Sequence, residues 1–160
     1  MDRGADIIEV MNCSKNNNHE FIIRAKHNRH LDKEKSDRLF ELARSLSPIG
    51  EMFLEIQGNN KRKKRTAKLE ISFCNVTLPT TVTSKDLEDV KCNVVRIYEK
   101  DCHGNEEPLE WILLTSLAVN NFEDALRIVR LYSYRWIIEE FHKCMKTGFR
   151  LEETQLRTVG

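Results

Sequence analysis

Four side chains near the carboxyl end of the chain have the types and spacing to bind a phosphate group. Drawn as an α-helix with about 100° per residue, the segment places four polar side chains within an arc of about 60°: Tyr132, Arg135, Glu139 and Lys146. A carboxylate on a rigid helix can bind Mg²⁺, and the other three side-chain types can bind phosphate oxygens. Such a site would need a second carboxylate from a sheet. The pattern equally fits a solvated face with ion pairs four residues apart, Arg135 to Glu139 and Glu139 to Lys143.

This segment has the features of a long helix. Asn120 or Asn121 can cap it, acidic residues fill its first turn, and Gly148 is expected to end it. Apolar residues gather on the side opposite the polar arc, and we expect that face to dock on a sheet or another helix. These residues are Ile137, Ile138, Phe141, Cys144 and Met145.

The elements before this helix read as a sheet with one short helix. A buried strand is predicted over residues 21–25, and the spacing of apolar residues predicts a helix over residues 37–46. Period-two alternation then predicts four antiparallel strands, with a turn at 58–60 and a long loop at 79–89. Their predicted ranges are 52–57, 68–78, 93–99 and 109–115.

Composition restricts the class of protein. A chain of 160 residues fits one domain, and 26 basic against 25 acidic residues give a net charge of +1. Overall basicity therefore cannot provide affinity for nucleic acid, which local clusters must supply. Five cysteines without CxxC spacing do not resemble a secreted disulfide framework, and we expect neither a signal peptide nor a transmembrane span. We expect a cytoplasmic protein with no membrane partner.

Three blocks of sequence resemble a known family. Residues 132–146 follow the pattern Tyr-x2-Arg-x3-Glu-x6-Lys, which is the signature of bacterial cut-and-paste transposases of the insertion sequence four family, including the transposon five enzyme. Residues 2–6, Asp-Arg-Gly-Ala-Asp, resemble the family's Asp-Arg-x-Ala-Asp motif. Residues 21–27, Phe-Ile-Ile-Arg-Ala-Lys-His, match at the family's spacing from that motif.

The resemblance implies an α/β (α+β) fold. A partial ribonuclease-H-like core would be interrupted by a mostly antiparallel β insertion and would end in a long helical segment that carries the catalytic Glu. The implied segments are core at 1–31, insertion at 32–108, core with the catalytic helix at 109–149, and a truncated tail at 150–160.

The resemblance also implies an activity. The family's Asp-Asp-Glu triad holds two divalent ions, Mg²⁺ or Mn²⁺, and by motif position Asp2 is the second Asp and Glu139 the Glu, both catalytic and metal-binding. Two metals about 4 Å apart suit in-line attack on a phosphodiester. Water attacks first, and the freed 3′-hydroxyl then attacks the opposite strand and later the target DNA.

The family further assigns residues that contact DNA at the transposon end. The DNA-binding positions carried over to this sequence are Arg24, Lys26, Trp111, Tyr132, Arg135 and Lys146. Trp111 would stack on a flipped base. Two of these positions have alternatives, because Arg24 could cap a sheet edge and Trp111 could be a core residue.

The first Asp of the family's triad has no counterpart upstream of Asp2 in this sequence. We therefore expect a transposase fragment that is inactive alone, bound to the bacterial nucleoid when on DNA, whereas intact members of the family are dimers. Whether such a chain counts as an enzyme stays open. One alternative is a non-catalytic DNA-binding or interaction protein that modulates a full-length transposase, and another is a remnant that folds poorly.

Two smaller features have weaker interpretations. The basic run at residues 61–65 is either a solvated hairpin tip or a finger that touches the DNA backbone. Cys92, Cys102 and His103 have a spacing that fits no standard zinc site.

Overall fold

The computed structural model describes residues 11–31, 37–56, 58, 63–79, 89–102 and 107–159. Residues 11–16 are helical and form α1. The remaining elements in chain order are β1 (Ile22–Arg24), α2 (Leu39–Ser45), β2 (Gly50–Ile56), β3 (Arg65–Leu78), β4 (Val90–Glu99), β5 (Glu110–Thr115) and α3 (Phe122–Val159).

The five strands form one sheet in the order β1-β5-β4-β3-β2, and every neighbouring pair is antiparallel. Each predicted strand is present with slightly shifted ends. This mixed α/β arrangement confirms the predicted fold class and is consistent with a partial ribonuclease-H-like fold.

The chain divides into two compact units, Met1–Ile128 and Val129–Gly160. The whole sheet lies in the first unit, and the second contains most of α3. Strands β1 and β5, which the resemblance assigns to the core, continue the same sheet as β2, β3 and β4 of the implied insertion. The boundaries after residues 31, 108 and 149 stay predictions.

One face of the sheet is covered by α1 and α2. Because successive side chains of a strand point to opposite faces, Ile112 and Leu114 of β5 share this face and pack in a cluster of buried residues. The cluster contains Met11, Leu39, Ala43, Val76, Leu78, Val90, Cys92, Val94, Ile112 and Leu114. The short helix α2 is therefore held mainly by burial of Leu39 and Ala43, not by its own seven-residue length.

The alternate residues of β5, Trp111 and Leu113, are also fully buried, so this strand has no solvent-facing side. The first turns of α3 bury Ala125 and Ile128 within the same unit. A Cβ atom on Gly50 would lie 2.6 Å from Cδ2 of Phe122, so any larger residue at the start of β2 would require the Phe122 ring to shift.

Side-chain caps fix the starts of α2 and α3. The Asn121 Oδ1 atom accepts the backbone N–H of Asp124 at 2.9 Å, which confirms the predicted cap of α3. The cap of α2 comes from outside the helix, because Asn28 Oδ1 accepts the N–H of Phe40 at 2.8 Å.

The predicted end of α3 is wrong. The helix passes through Gly148 and continues to Val159, so most of the expected tail is helical. A glycine inside a helix costs only about 0.5–1 kcal/mol relative to alanine. The residues after Gly148 include Leu, Glu, Gln and Arg, which are good helix formers and offset that cost.

Candidate nucleic-acid interface

The polar face of α3 is partly as predicted. Arg135 Nε lies 3.3 Å from Glu139 Oε1, and the two side chains are 63% and 55% exposed. Lys146 is also exposed. An exposed pair four residues apart contributes about 0.3–0.5 kcal/mol. Both groups can therefore exchange this contact for a ligand at little cost.

Tyr132 differs from its three predicted partners because its side chain is buried. The helical projection placed it correctly in angle, but angle alone does not determine exposure. In this conformation the exposed polar face consists of Arg135, Glu139 and Lys146.

The expectation that the opposite face of α3 docks on another element is wrong for the side chains that the structure describes. Ile137, Ile138, Phe141 and Met145 are all exposed, with Phe141 at 59%. Tyr134 is exposed as well. The second unit thus presents an apolar face and a charged face on one helix.

Arg24 and Lys26 lie on the first unit, at the edge strand β1 and just after it. Both are exposed. Arg24 Nη2 donates to the backbone oxygen of Glu110 at 3.3 Å, so the sheet-edge contact considered for this side chain does exist. Beside them is a cleft of about 390 Å³, whose lining is Arg24, Ala25, Lys26, Phe40, Glu110 and Ile112.

Glu110 is the centre of a charged cluster that the sequence did not reveal. Its Oε1 lies 2.7 Å from Arg44 Nη2, and its Oε2 lies 2.7 Å from Arg96 Nη2. Hydrogen bonds from Arg44 first, and then from Arg96, hold the pKa of the Glu110 carboxyl below its usual value, although burial opposes them. The same hydrogen bond with Glu110 raises the pKa of Arg44.

The two arginines of this cluster are also held by aromatic rings. Arg44 Cζ lies 5.5 Å from the centroid of Phe40, and Arg96 Cζ lies 4.6 Å from that of Tyr98. The β4–β5 register pairs Tyr98 with Glu110, which brings Arg96 to the carboxylate. A correct strand register could have predicted this contact, whereas Arg44 reaches Glu110 only through the docking of α2.

Trp111 is fully buried on β5. This environment agrees with the alternative that it is a core residue. Stacking on a flipped base would require the ring to become accessible, so that role stays a prediction.

The described residues do not complete a metal site. Asp2 lies outside them, and among them no group of three His, Cys, Asp or Glu side chains could hold a metal ion. Glu139 offers one carboxylate, which already contacts Arg135. Within the same part of the chain, Cys92 and Cys102 join no metal-binding group, while His103 lies outside it.

The basic run at residues 61–65 divides into three parts. Residues 61 and 62 lie outside the described chain, and Lys63 and Lys64 are exposed. Arg65 begins β3 and forms an ion pair with Glu99 at 2.9 Å. Arg65 is therefore a structural residue and not part of an exposed finger. Every helix in the described part of the chain is too short or too polar to span a membrane.

Comparison with known protein families gives a match over nearly the whole chain. The family described as transposase DDE domain matches residues 1–159. The match includes Asp2, both Arg24 and Lys26, and the polar face of α3.

Proposed function

This chain belongs to the transposase DDE domain family, and from that premise we propose that it acts on transposon ends by phosphodiester hydrolysis followed by strand transfer. Members of this family act on DNA and use divalent metal ions, typically Mg²⁺. The family match over residues 1–159 is the observation that carries the proposal. The finer assignment to the insertion sequence four family rests on the Tyr-Arg-Glu-Lys signature of residues 132–146.

We assign Glu139 and Asp2 as two of the three carboxylates of the active site. Glu139 is exposed, sits on a helix and is held by one weak ion pair, so it is accessible to a cation. A bound divalent ion would supply activation of the attacking water and charge neutralisation at the leaving oxygen.

We assign the cationic side chains to DNA binding and not to metal binding. Arg135 and Lys146 flank Glu139 on the helix, and each can bind phosphate oxygens of the DNA without reading its sequence. Arg24 and Lys26 offer a second pair of cations on the first unit. Tyr132 and Trp111 are buried, so we expect them to contribute to DNA contact only after a local rearrangement.

The assignment proposed here accounts for two of the three carboxylates that the family uses. We therefore expect strand cleavage only when a third carboxylate joins Asp2 and Glu139. DNA binding does not depend on that carboxylate and is expected from these residues alone.

The test uses a plasmid that carries the DNA flanking the coding sequence. Binding is measured by electrophoretic mobility shift. Nicking is measured with Mn²⁺ or Mg²⁺, with and without an added polypeptide that carries the family's first Asp. Glu139→Gln should abolish nicking and leave binding intact, whereas combined Arg135→Ala and Lys146→Ala should weaken binding. Glu123→Gln, at an exposed carboxylate in the first turn of the same helix, is the matched control and should change neither.

A different outcome would favour the non-catalytic alternative. If the protein binds DNA but never nicks it with the third carboxylate supplied, and Glu139→Gln changes nothing, a DNA-binding protein that modulates a full-length transposase is the better description. Failure to bind DNA at low salt would refute both functions.

A further inference from the structure

The charged cluster around Glu110 adjoins an open cleft. Arg24, Lys26 and Glu110 are among the residues that line this cleft. Two further cations, Arg44 and Arg96, contact the Glu110 carboxylate. Guanidinium groups of this kind are the side chains that bind phosphate oxygens best, because their N–H groups form a planar fork.

Arg44 retains donors that could bind an anion. Its Nε and Nη2 atoms face Glu110, at 3.3 and 2.7 Å. A guanidinium has five N–H groups in a planar fork, so the outer edge formed by Nη1 and Nη2 is left to bind a second oxyanion. The side chain is 52% exposed, and the Phe40 ring supports its plane. The carboxylate therefore fixes the direction in which this outer edge points.

Arg24 contacts the same residue, Glu110, from the edge strand β1. Among the described residues, the only hydrogen bond of its side chain is to the main-chain oxygen of Glu110, at 3.3 Å. Glu110 thus contacts Arg24 through its backbone and Arg44 through its side chain. A phosphate group carries the charge and the oxygen atoms to bridge two such guanidinium groups.

We propose that Arg44, positioned by Glu110, binds a backbone phosphate of DNA beside Arg24. The inference rests on the proposed function, because it takes the anion to be a phosphodiester of the DNA substrate. Arg44 is a phosphate ligand, and Glu110 is a positioning residue backed by Arg96. The contact has no base specificity and adds to overall DNA affinity.

Salt dependence distinguishes a phosphate contact from a structural role. Each neutralised phosphate contributes about −0.9 to the slope of log affinity against log salt concentration. Arg44→Ala should reduce the magnitude of that slope by about one. Between about 50 and 200 mM salt, the binding defect should therefore shrink by roughly three- to fourfold.

The assay is fluorescence anisotropy with a short fluorescein-labelled DNA duplex of arbitrary sequence, titrated at several NaCl concentrations. Arg127→Ala is the matched control, since Arg127 is exposed on α3 within the same unit and lies outside the cleft lining. It should leave the slope unchanged. Circular dichroism melts identify any variant that fails to fold. If Arg44→Ala does not fold, Arg44→Lys replaces it. This variant keeps the positive charge but loses the planar fork of N–H groups, and it should show an intermediate slope.

Glu110→Gln gives the readout that a structural or purely electrostatic role would not predict. Removing a negative charge near the cleft would strengthen DNA binding if charge alone mattered. If Glu110 positions Arg44, the variant should instead bind more weakly and with a smaller slope. Tighter binding by Glu110→Gln would refute the positioning role.

The outcomes separate this inference from the function on which it rests. Wild-type protein that does not bind the duplex at low salt would refute DNA binding itself, and the inference with it. Wild-type protein that binds, with Arg44→Ala indistinguishable from Arg127→Ala, would refute only the inference.

Discussion

Removing the carboxylate of Glu99 should destabilise the first unit more than removal of any comparable surface charge. The Glu99 side chain is 4% exposed, and its Oε2 accepts Arg65 Nη2 at 2.9 Å and the backbone N–H of Leu109 at 3.1 Å. The two contacts join the ends of β3 and β4 to the residue that precedes β5. Glu99→Ala would leave a guanidinium and a backbone donor without this acceptor.

The size of the effect follows from burial. Breaking a buried ion pair by removing one partner costs about 3–5 kcal/mol. Arg65 is 22% exposed and regains some hydration, so we expect a loss of about 2–4 kcal/mol in the free energy of unfolding. Glu99→Gln keeps an acceptor for Leu109 and should cost about 1–3 kcal/mol.

Glu51→Ala is the matched control. Glu51 is paired with Lys68 at 3.3 Å, and the two side chains are 50% and 45% exposed. Exposed pairs of this kind contribute about 0–1 kcal/mol. The same chemical change should therefore be several times less costly at this position.

Urea unfolding followed by tryptophan fluorescence measures the difference. A Trp136→Phe background leaves the buried Trp111 as the only reporter, and Trp111 lies in the same unit as Glu99. Equal losses for Glu99→Ala and Glu51→Ala would refute the reasoning. They would show that the Glu99–Arg65 pair contributes no more than a solvated one.

Two further predictions concern titratable groups. Burial first, and then the neighbouring Cys74, raise the pKa of the Cys92 thiol to about 12, so a short iodoacetamide pulse at mildly alkaline pH should alkylate the exposed Cys13 and spare Cys92. Peptide mass spectrometry checks this, and equal labelling of the two in native protein would contradict it. Folding lowers the pKa of Glu110, so its ionised carboxylate stabilises the folded protein fully above the ordinary pKa of about 4.5. This stabilisation is lost as the pH falls through the lowered pKa of the folded state. The stability difference between wild type and Glu110→Gln should thus shrink in acid urea titrations, and a constant difference would show that the charge is not involved.

The sequence was a good guide to the elements of this fold because their signals are local. Period-two alternation located the strands, and Asn121 marked the start of α3. The end of α3 was missed for a physical reason. Gly148 imposes only a small penalty, and the polar residues after it form a helix well enough to continue.

Exposure was predicted less well than position. The helical projection identified the polar arc that carries Arg135 and Glu139, but it could not show that Tyr132 is buried or that Phe141 is exposed. Periodicity specifies which side chains share a face of a helix. It does not specify what, if anything, covers that face.

The sequence by itself determined the family, the antiparallel strands and the i,i+4 pair of Arg135 and Glu139, because each depends on residues that are close in the chain or on a fixed motif spacing. Tertiary structure alone decided the environment of Glu110, since Arg44 and Arg96 reach its carboxylate from a different helix and a different strand. Their sequence separations of 66 and 14 residues leave no local pattern. Charged groups so far apart in the chain become one cluster only when the sheet has formed and α2 has docked on it.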